Sequence, residues 1–141
     1  MVNQNSGKCA DALSSSTANA TVVQQNTCSA ALNQQWQFVS AGNGYYEVLG
    51  RHAVTQRQAW DVTGGTSATS PGTPIQTWAY ATATNQQWQA QALTGGYYTL
   101  VVRNSGLCLG VPNSSTANGV QLQMLTCNGS PAQSFQLIKQ S

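Results

Sequence analysis

Few residues in this chain could carry catalytic chemistry. Its 141 residues include three carboxylates, Asp11, Glu47 and Asp61, and one histidine, His52, which we expect to be an exposed loop residue. Glycoside hydrolysis normally uses two carboxylates about 5–9.5 Å apart, but Asp11 and Asp61 fall in different sequence repeats. A serine triad needs a histidine with an acidic partner, and no G-x-S-x-G elbow surrounds a serine. We therefore predict that the chain is not an enzyme.

Four cysteines favour disulfide chemistry over metal or redox chemistry. Cys9, Cys28, Cys108 and Cys127 form no C-x-x-C pair, the spacing that zinc sites and redox dithiols use. An even count in a polar chain with few charges indicates disulfides and an oxidising compartment, with four reduced thiols as the cytosolic alternative. No phosphate-binding loop or metal-ligand cluster is present, so we expect no cofactor.

The sequence is an internal threefold repeat. Asn-Gln-Gln-Trp-Gln occurs at 33–37 and 85–89, and the related Ala-Gln-Ser-Phe-Gln occupies 132–136. The first and third units also share Asn-Ser-Gly, Ser-Thr-Ala-Asn and two cysteines at a common spacing, whereas the middle unit is looser. We expect a single domain, 1–141, whose units span 1–40, 41–92 and 93–141.

The middle unit lacks both cysteines together. Ala59 and Tyr80 stand where the other units have cysteines. A joint loss is expected if the two positions face each other, because a lone cysteine would have no mate. We therefore predict the disulfides Cys9–Cys28 and Cys108–Cys127. Each closes a loop of about 20 residues and stabilises the fold by about 3 kcal/mol in the chain-entropy model.

Short β-strands must position these residues. The tyrosine pairs at 45–46 and 97–98 follow glycine turns, and short apolar runs such as 36–39 and 135–138 alternate with polar stretches. No segment has a 3.6-residue apolar stripe. Many short strands predict an all-β barrel or sandwich, and the threefold repeat favours a pseudo-symmetric barrel.

The motifs resemble those of a known family. Gln-x-Trp at 34–36 and 86–88, its variant at 133–135, and Cys-x-Asp at 9–11 are similar to the ricin B-type lectins and to related carbohydrate-binding modules of bacterial polysaccharide hydrolases. The resemblance covers nearly the whole chain. It implies a β-trefoil of twelve strands with up to three sugar sites, one per unit. It also implies that the motif aromatics pack in the core, namely Trp36, Trp88 and Phe135.

The resemblance implies a complete sugar site in the middle unit. The family uses an aspartate, a later glutamine, a nearby aromatic residue and an Asn-Gln pair. The matching residues are Asp61, Gln76, Trp78, Asn85 and Gln86, with Tyr80 as a possible extension of the aromatic platform. A carboxylate accepts from a hydroxyl pair through charge-assisted bonds, about twice as strong as neutral ones. Amides supply donors and acceptors, and the aromatic face covers the C–H face of the sugar.

The other units have weaker sets. The first unit keeps the polar residues but has Asn26 at the aromatic position, so we expect weak binding or a different sugar orientation there. Its residues are Asp11, Gln24, Asn26, Asn33 and Gln34. The third unit has Gly110, Leu125 and Ala132 in place of the aspartate, aromatic residue and asparagine, and we expect it to be structural. The alternative role of each aspartate is to cap a turn.

Charge and hydropathy limit the partners. Charged residues make up 6% of the chain, against roughly 25% in ordinary soluble domains. The five scattered bases give a net charge of +2 and no basic patch for nucleic acid. No apolar run approaches the roughly 20 residues that span a bilayer. The expected partner is carbohydrate, from monosaccharide to polysaccharide, and the resemblance points to galactose- or arabinose-type sugars.

We predict a secreted carbohydrate-binding module, monomeric or tethered, that targets an attached polysaccharide-degrading enzyme to its substrate. The first strand begins abruptly, which favours a piece of a longer precursor. A free-standing lectin or toxin B-subunit is an alternative of the same fold. A β-trefoil protease inhibitor acting through the 63–74 loop is a weaker alternative, since it would not need Asp61, Gln76 and Trp78 together.

Overall fold

The protein is an assembly of short strands and turns. A computed structural model describes residues 1–140, and no α-helix occurs among them. The strands are β1 (Val2–Asn3), β2 (Cys9–Ala12), β3 (Thr21–Asn26), β4 (Trp36–Gly42), β5 (Tyr45–Gly50), β6 (Gln58–Val62), β7 (Thr73–Ala79), β8 (Trp88–Ala92), β9 (Tyr97–Val102), β10 (Cys108–Gly110), β11 (Val120–Gln121), β12 (Gln123–Leu125) and β13 (Phe135–Gln136). The 3-10 turns are Leu13–Ser15, Leu32–Gln34, Arg51–Ala53, Thr84–Gln86, Thr94–Gly96, Pro112–Ser114 and Pro131–Gln133.

The strand pairing is that of a β-trefoil. The barrel wall follows the antiparallel pairs β4–β5, β5–β8, β8–β9, β9–β13 and β13–β1. Three hairpins, β2–β3, β6–β7 and β10–β12, join one another through β3–β7, β7–β12 and β3–β11. Because β11 and β12 together take the place of one strand, each unit supplies four strands. The predicted all-β trefoil is confirmed.

The hairpins place equivalent residues opposite one another in all three units. Asp11 faces Gln24 across β2 and β3, and Asp61 faces Gln76 across β6 and β7. Gly110 faces Gln123 across β10 and β12. A strand sends alternate side chains to opposite faces, so the residue two places beyond each glutamine joins the same face. That position holds an aromatic side chain in the middle unit alone, Trp78.

The core is built around the motif aromatics. Trp88 and Phe135 are fully buried, as predicted, and Trp60 packs edge-on against Trp88 with ring centroids 5.8 Å apart. The Trp88 indole N–H donates to the Trp60 carbonyl at 3.3 Å. Trp36 likewise donates to the Ala10 carbonyl at 3.0 Å and packs against the core, but it is only half-buried. Its outer side borders a surface groove.

Both predicted disulfides are present. Cys9–Cys28 and Cys108–Cys127 join Cα atoms 5.0 and 5.1 Å apart. In the middle unit, Tyr80 occupies the second cysteine position, and its hydroxyl accepts from the Gln87 side-chain amide at 3.0 Å. The Arg57 guanidinium lies over the Tyr80 ring, 5.4 Å from its centroid. In the middle unit, the contacts of Tyr80 with Arg57 and Gln87 therefore take the place of the disulfide found in the other two units.

The histidine and the third carboxylate both make structural contacts. His52 is half-buried, lies 2.9 Å through Nε2 from the Ser16 carbonyl oxygen and packs edge-on against Trp36. The expectation of an exposed His52 is wrong, because its turn folds against the first unit. Glu47 is buried on β5 and forms an ion pair with Arg57.

Candidate functional site

The predicted middle-unit residues converge on the Asp61 carboxylate. Gln76 on β7 donates to Oδ1 of Asp61 at 3.0 Å. Asn85 and Gln86, from the Thr84–Gln86 turn, donate to Oδ2 at 3.2 and 2.9 Å. Asp61 is only 6% exposed. We call this set, together with Trp78, the Asp61 cup.

A cavity of about 390 Å³ lies over the Asp61 cup. Trp78 lines it and is 41% exposed, so a large part of its ring is free to meet a ligand. Gly64, Gly65 and Thr66 also line the cavity. Sequence reasoning missed these three residues, although the glycine pair is visible in the sequence.

Gly64 and Gly65 form a turn that borders the cavity over the Asp61 cup. Both glycines have positive φ, 101° and 85°, the left-handed region that glycine adopts without strain. In the first unit, Ser14 and Ser15 hold a similar positive-φ pair but carry side chains. The middle unit therefore has a positive-φ pair without side chains where the first unit has two serines.

Most amide hydrogens of the Asp61 cup are already used. Gln86 Nε2 donates to Asp61 and to the Ala79 carbonyl at 3.1 Å, while Gln86 Oε1 accepts the Ala81 N–H at 2.7 Å. Asn85 Nδ2 donates to Asp61 and to the Val62 carbonyl at 3.1 Å. Asn85 Oδ1 is buried without a partner. The acceptor that the cup presents to a ligand is therefore the Asp61 carboxylate.

Burial shapes the electrostatics of Asp61. Desolvation raises the pKa of the Asp61 carboxyl above its ordinary value, and the hydrogen bonds from Gln76, Gln86 and Asn85 offset part of that rise. Within residues 1–140, the only ion pair of Lys or Arg with a carboxylate is Arg57–Glu47. Neutral amides therefore hold the Asp61 carboxylate, which remains a strong acceptor in a weakly solvated site.

The first unit repeats the polar geometry without the aromatic residue. Asp11 accepts from Gln24 at 3.1 Å, Asn33 at 3.2 Å and Gln34 at 2.9 Å. These four residues form what we call the Asp11 cup. Asn26 pairs with Cys9 as Trp78 pairs with Ala59, so it occupies the aromatic position. The Asp11 cup can accept hydroxyl hydrogens but offers no ring for stacking.

The third unit has no room for the aspartate. A Cβ added to Gly110 would lie 2.9 Å from Gln133 Cγ and 3.0 Å from Leu125 Cδ1. Gln133 nevertheless donates to the Thr126 carbonyl at 2.9 Å and accepts the Asn128 N–H at 3.0 Å. Gln34 and Gln86 make the same pair of backbone bonds. This glutamine therefore anchors its turn in every unit, a role that sequence reasoning missed.

Tyr80 lies apart from the cup. It is not among the residues lining the cavity, and its hydroxyl and ring contact Gln87 and Arg57. The hypothesis that Tyr80 extends the aromatic platform is therefore not supported by its position. The cause is that residue 80 takes over the packing role of a half-cystine, which turns it away from the Asp61 cup.

Two further kinds of site receive no support from the described residues. Within residues 1–140, no group of three or more His, Cys, Asp or Glu side chains is arranged to hold a metal ion. No helix in that part of the chain has the length and apolarity to cross a membrane.

Known structures share this fold over nearly the whole chain. The designed threefold-symmetric protein ThreeFoil superposes with a TM-score of 0.92 at 37% identity, covering 99% of this chain and 96% of that one. The exo-beta-1,3-galactanase 1,3Gal43A from Clostridium thermocellum gives 0.90 at 30% identity, covering 97% of this chain but 29% of the galactanase. The Rhizoctonia solani agglutinin gives 0.85 at 16% identity, covering 99% and 92%.

The family assignment comes from the sequence as well as the fold. No curated protein matches the chain by sequence. The model of the ricin-type beta-trefoil lectin domain matches residues 1–137. Domains of this family are non-catalytic modules with a carbohydrate-binding fold. The Gln-x-Trp repeats, the trefoil pairing and this match agree, and the chain belongs to the ricin-type β-trefoil lectin domain family.

Proposed function

We propose that the chain binds a saccharide in the Asp61 cup and, more weakly, in the Asp11 cup. The observation that carries the proposal is a buried carboxylate, held by three neutral amides, beside a half-exposed tryptophan in one cavity. Turn capping alone would not require Trp78 to remain 41% exposed at the cavity. A sugar uses both features at once, hydroxyls on the carboxylate and its apolar face on the indole.

Because most amide hydrogens of the cup already donate within the protein, the ligand must supply hydrogen-bond donors. Asn85 and Gln86 have no free amide hydrogen, whereas Gln76 Nε2 has one hydrogen beyond its bond to Asp61. The sugar therefore donates a hydroxyl hydrogen to the Asp61 carboxylate and can accept the free hydrogen of Gln76. A deoxyfluoro sugar cannot donate at the altered position, and we expect it to bind as poorly as the deoxy sugar.

A galactose-type sugar is the first candidate ligand. The galactanase likeness at 30% identity supports a β-1,3-galactan ligand, and arabinose-type sugars remain the second candidate. Because the matched region is 29% of that enzyme, the likeness also supports the targeting of an attached polysaccharide-degrading enzyme. A free-standing lectin or toxin B-subunit would use the same cups without a tethered partner.

Weak single sites would suit a polymer ligand. A shallow cup of this type should bind with a Kd on the order of tens of micromolar to millimolar, about 4–6 kcal/mol. Two cups on one rigid body gain avidity on a polysaccharide that spans both. We therefore expect the polymer to bind better than the monosaccharide by much more than a factor of two.

The setting of the module is part of the proposal. The two disulfides support a secreted, oxidising location. We propose one domain over 1–141, with units at 1–40, 41–92 and 93–141, acting as a monomer or a tethered module. Carbohydrate is the proposed partner, with no role for nucleic acid or membrane insertion.

Trp78→Ala tests the site with the amide network left intact. Retention in gels containing β-1,3-galactan, with laminarin gels as comparison, should fall by about tenfold or more because the stacking face is lost. Titration with galactose, arabinose and xylose identifies the sugar. Leu93→Ala, at an exposed apolar residue on another unit, is the matched control and should bind normally. If Trp78→Ala were retained as strongly as the unchanged protein, the Asp61 cup would not be the main sugar-binding site.

A further inference from the structure

The first and third units share a Ser-Thr-Ala-Asn segment that lies outside both cups. It spans 16–19 in the loop between β2 and β3, and 115–118 in the loop between β10 and β11. In both copies, the serine hydroxyl accepts the backbone N–H two residues further on, at 3.3 and 3.2 Å. Such serine turns bend the chain locally. Each segment therefore ends its loop with an asparagine, Asn19 or Asn118.

Asn19 reaches from the first unit to the strand that carries Trp78. Its side-chain oxygen accepts the Ala79 N–H at 2.9 Å. The next residue, Ala20, donates its N–H to the Thr77 carbonyl at 2.9 Å. The first unit therefore binds the backbone on both sides of Trp78.

The opposite edge of the same strand is held by β6. Trp78 pairs with Ala59 of β6. Because successive residues of a strand direct their backbone groups to alternate sides, Trp78 faces β6 while its two neighbours face the first unit. The Asn19 oxygen also accepts the Gln58 side-chain amide at 2.9 Å, which joins it to β6 as well. The end of β7 is therefore fixed between two units.

The orientation of the Trp78 ring depends on this backbone. The residue is 41% exposed, and within residues 1–140 no other aromatic ring packs against it. The direction of such a side chain follows from the strand that carries it. A ring that must be ordered when the ligand arrives weakens binding, whereas a ring held in place beforehand does not.

We propose that Asn19 of the first unit is a positioning residue for Trp78, so that the sugar site of the middle unit is built by two units. This role rests on the proposed binding of a saccharide in the Asp61 cup. Asn19 is not among the residues lining the cavity, so it acts through the backbone of β7. Its hydrogen bond holds the strand where the indole borders the cavity.

The equivalent contacts in the other units hold no aromatic residue. Asn118 accepts from the Thr27 hydroxyl at 3.2 Å, beside the Asp11 cup, which has no ring. Pro71 takes the asparagine position in the middle unit, since the residue after it donates its N–H to the next unit as Ala20 does. Proline offers no side-chain acceptor, and the strand that it adjoins has Leu125 at the aromatic position. The asparagine acceptor therefore occurs beside the aromatic strand.

The first test needs no sugar. Asn19→Leu removes the accepting oxygen, and ¹⁵N relaxation measures the order parameter of the Trp78 indole N–H, whose signal is identified by its loss in Trp78→Ala. We expect the order parameter to fall from about 0.85 to about 0.6 or less. Asn19→Asp keeps an accepting oxygen and should retain the high value. An unchanged order parameter in Asn19→Leu would overturn the proposal, and Asn19→Ala replaces this variant if it does not fold.

Asn118→Leu is the matched control. It removes the equivalent asparagine from the same type of loop, at a position that contacts Thr27 instead of the Trp78 strand. The order parameter of the Trp78 indole should therefore not change. If Asn118→Leu lowered it as much as Asn19→Leu does, a general loosening of the loops would explain both results, and the proposal would fail.

The second test connects Asn19 with binding. All proteins carry Asp11→Asn, so that retention in β-1,3-galactan gels measures the Asp61 cup alone. Asn19→Leu should reduce retention by about fivefold when Trp78 is present, and should cause no further loss in Trp78→Ala. Equal losses in both proteins would show that Asn19 affects binding without Trp78, which would contradict the proposal.

The same gels distinguish this role from the proposed function. If Trp78→Ala reduces retention but Asn19→Leu does not, the Asp61 cup remains the sugar site and the positioning role of Asn19 is wrong. If Trp78→Ala is retained as strongly as its parent, the proposed function fails, and the assignment of Asn19 to a sugar site fails with it.

Discussion

The Asp61 cup and its counterpart in the third unit share one backbone arrangement and differ in chemistry. In both, a glutamine of the Gln-x-aromatic motif accepts one backbone N–H and donates to one backbone carbonyl. In the middle unit, Gln86 also donates to Asp61, whereas in the third unit the Gln133 and Leu125 side chains fill the space beside Gly110. The motif therefore marks an anchored turn, and the aspartate with its aromatic neighbour marks a site.

The Asp11 cup stands between these two cases. It keeps all three amide donors to the carboxylate but has Asn26 where the middle unit has Trp78. Comparing the three units therefore separates three contributions: the glutamine that anchors the turn, the carboxylate that accepts hydroxyl hydrogens, and the aromatic ring that stacks on the sugar. Exchanging single residues between units tests each contribution by itself.

The largest effect should come from Asp61→Asn. The new amide presents a donor to the donors Gln76, Asn85 and Gln86, and the charge that accepts sugar hydroxyls is lost. We expect saccharide binding to fall by about 100-fold or more and the free energy of unfolding to fall by about 1–3 kcal/mol. Affinity gels and urea unfolding measure the two effects.

Asp11→Asn is the matched control for this change. Its amide neighbours are equivalent, so it should lose similar stability, but a much smaller share of total binding. Equal losses of binding in both variants would show that the two cups contribute alike. The contrast that we draw between them would then fail.

The next effect concerns stacking and uses a reciprocal exchange. Asn26→Trp should strengthen sugar binding at the Asp11 cup by about tenfold, since an indole would then lie beside a carboxylate already held by its amides. Trp78→Asn should weaken the Asp61 cup by a similar factor. Isothermal titration of each variant in an Asp61→Asn or Asp11→Asn background assigns the change to one cup.

A smaller effect is expected from Gly110→Asp. The new Cβ would come within 3.0 Å of Gln133 and Leu125, so the change should destabilise the fold by about 1–3 kcal/mol and create no binding. Adding Leu125→Trp and Ala132→Asn completes the aspartate, aromatic and asparagine set. Gain of sugar binding by the triple variant but not by Gly110→Asp alone is the expected result.

The repeats explain how far the sequence could predict this structure. Pairing Asp61 with Gln76 and joining Cys9 to Cys28 needed only the alignment of units, because equivalent residues in a repeat occupy equivalent registers. The positions of Tyr80 and His52 could not be obtained in this way. His52 packs against the first unit, and Tyr80 contacts Arg57 and Gln87 at a position where the other units have a cysteine; the alignment of one unit with another contains neither set of contacts.

The half-burial of Trp36 could not be predicted from the sequence for a related reason. Trp36 and Trp88 stand in identical Asn-Gln-Gln-Trp-Gln segments, yet one is half-buried and the other fully buried. Trp88 pairs with Tyr46 of β5, whereas Trp36 borders a surface groove lined by residues 137–140. Burial therefore depended on a partner strand distant from the motif itself.

The smallest predicted effect is a pH dependence at the Asp61 cup. Because burial raises the pKa of the Asp61 carboxyl, the folded state binds this proton more readily than the unfolded state does. Between the ordinary carboxyl pKa and the raised value, stability should increase as pH falls. Sugar binding should decrease over the same range, because a protonated carboxyl accepts hydroxyl hydrogens less well.

These opposite trends distinguish a binding carboxylate from a capping one. Urea unfolding and galactan retention at a series of pH values between about 3 and 7 measure them on one protein. Trp78→Ala keeps the carboxyl and its amides, so it should retain the stability trend while binding weakly throughout. Asp61→Asn removes the titrating group and should remove this part of the stability trend. If sugar binding and stability instead both decreased as the pH was lowered, general acid unfolding would explain both trends. The proposed electrostatic role of the Asp61 carboxylate in binding would then be contradicted.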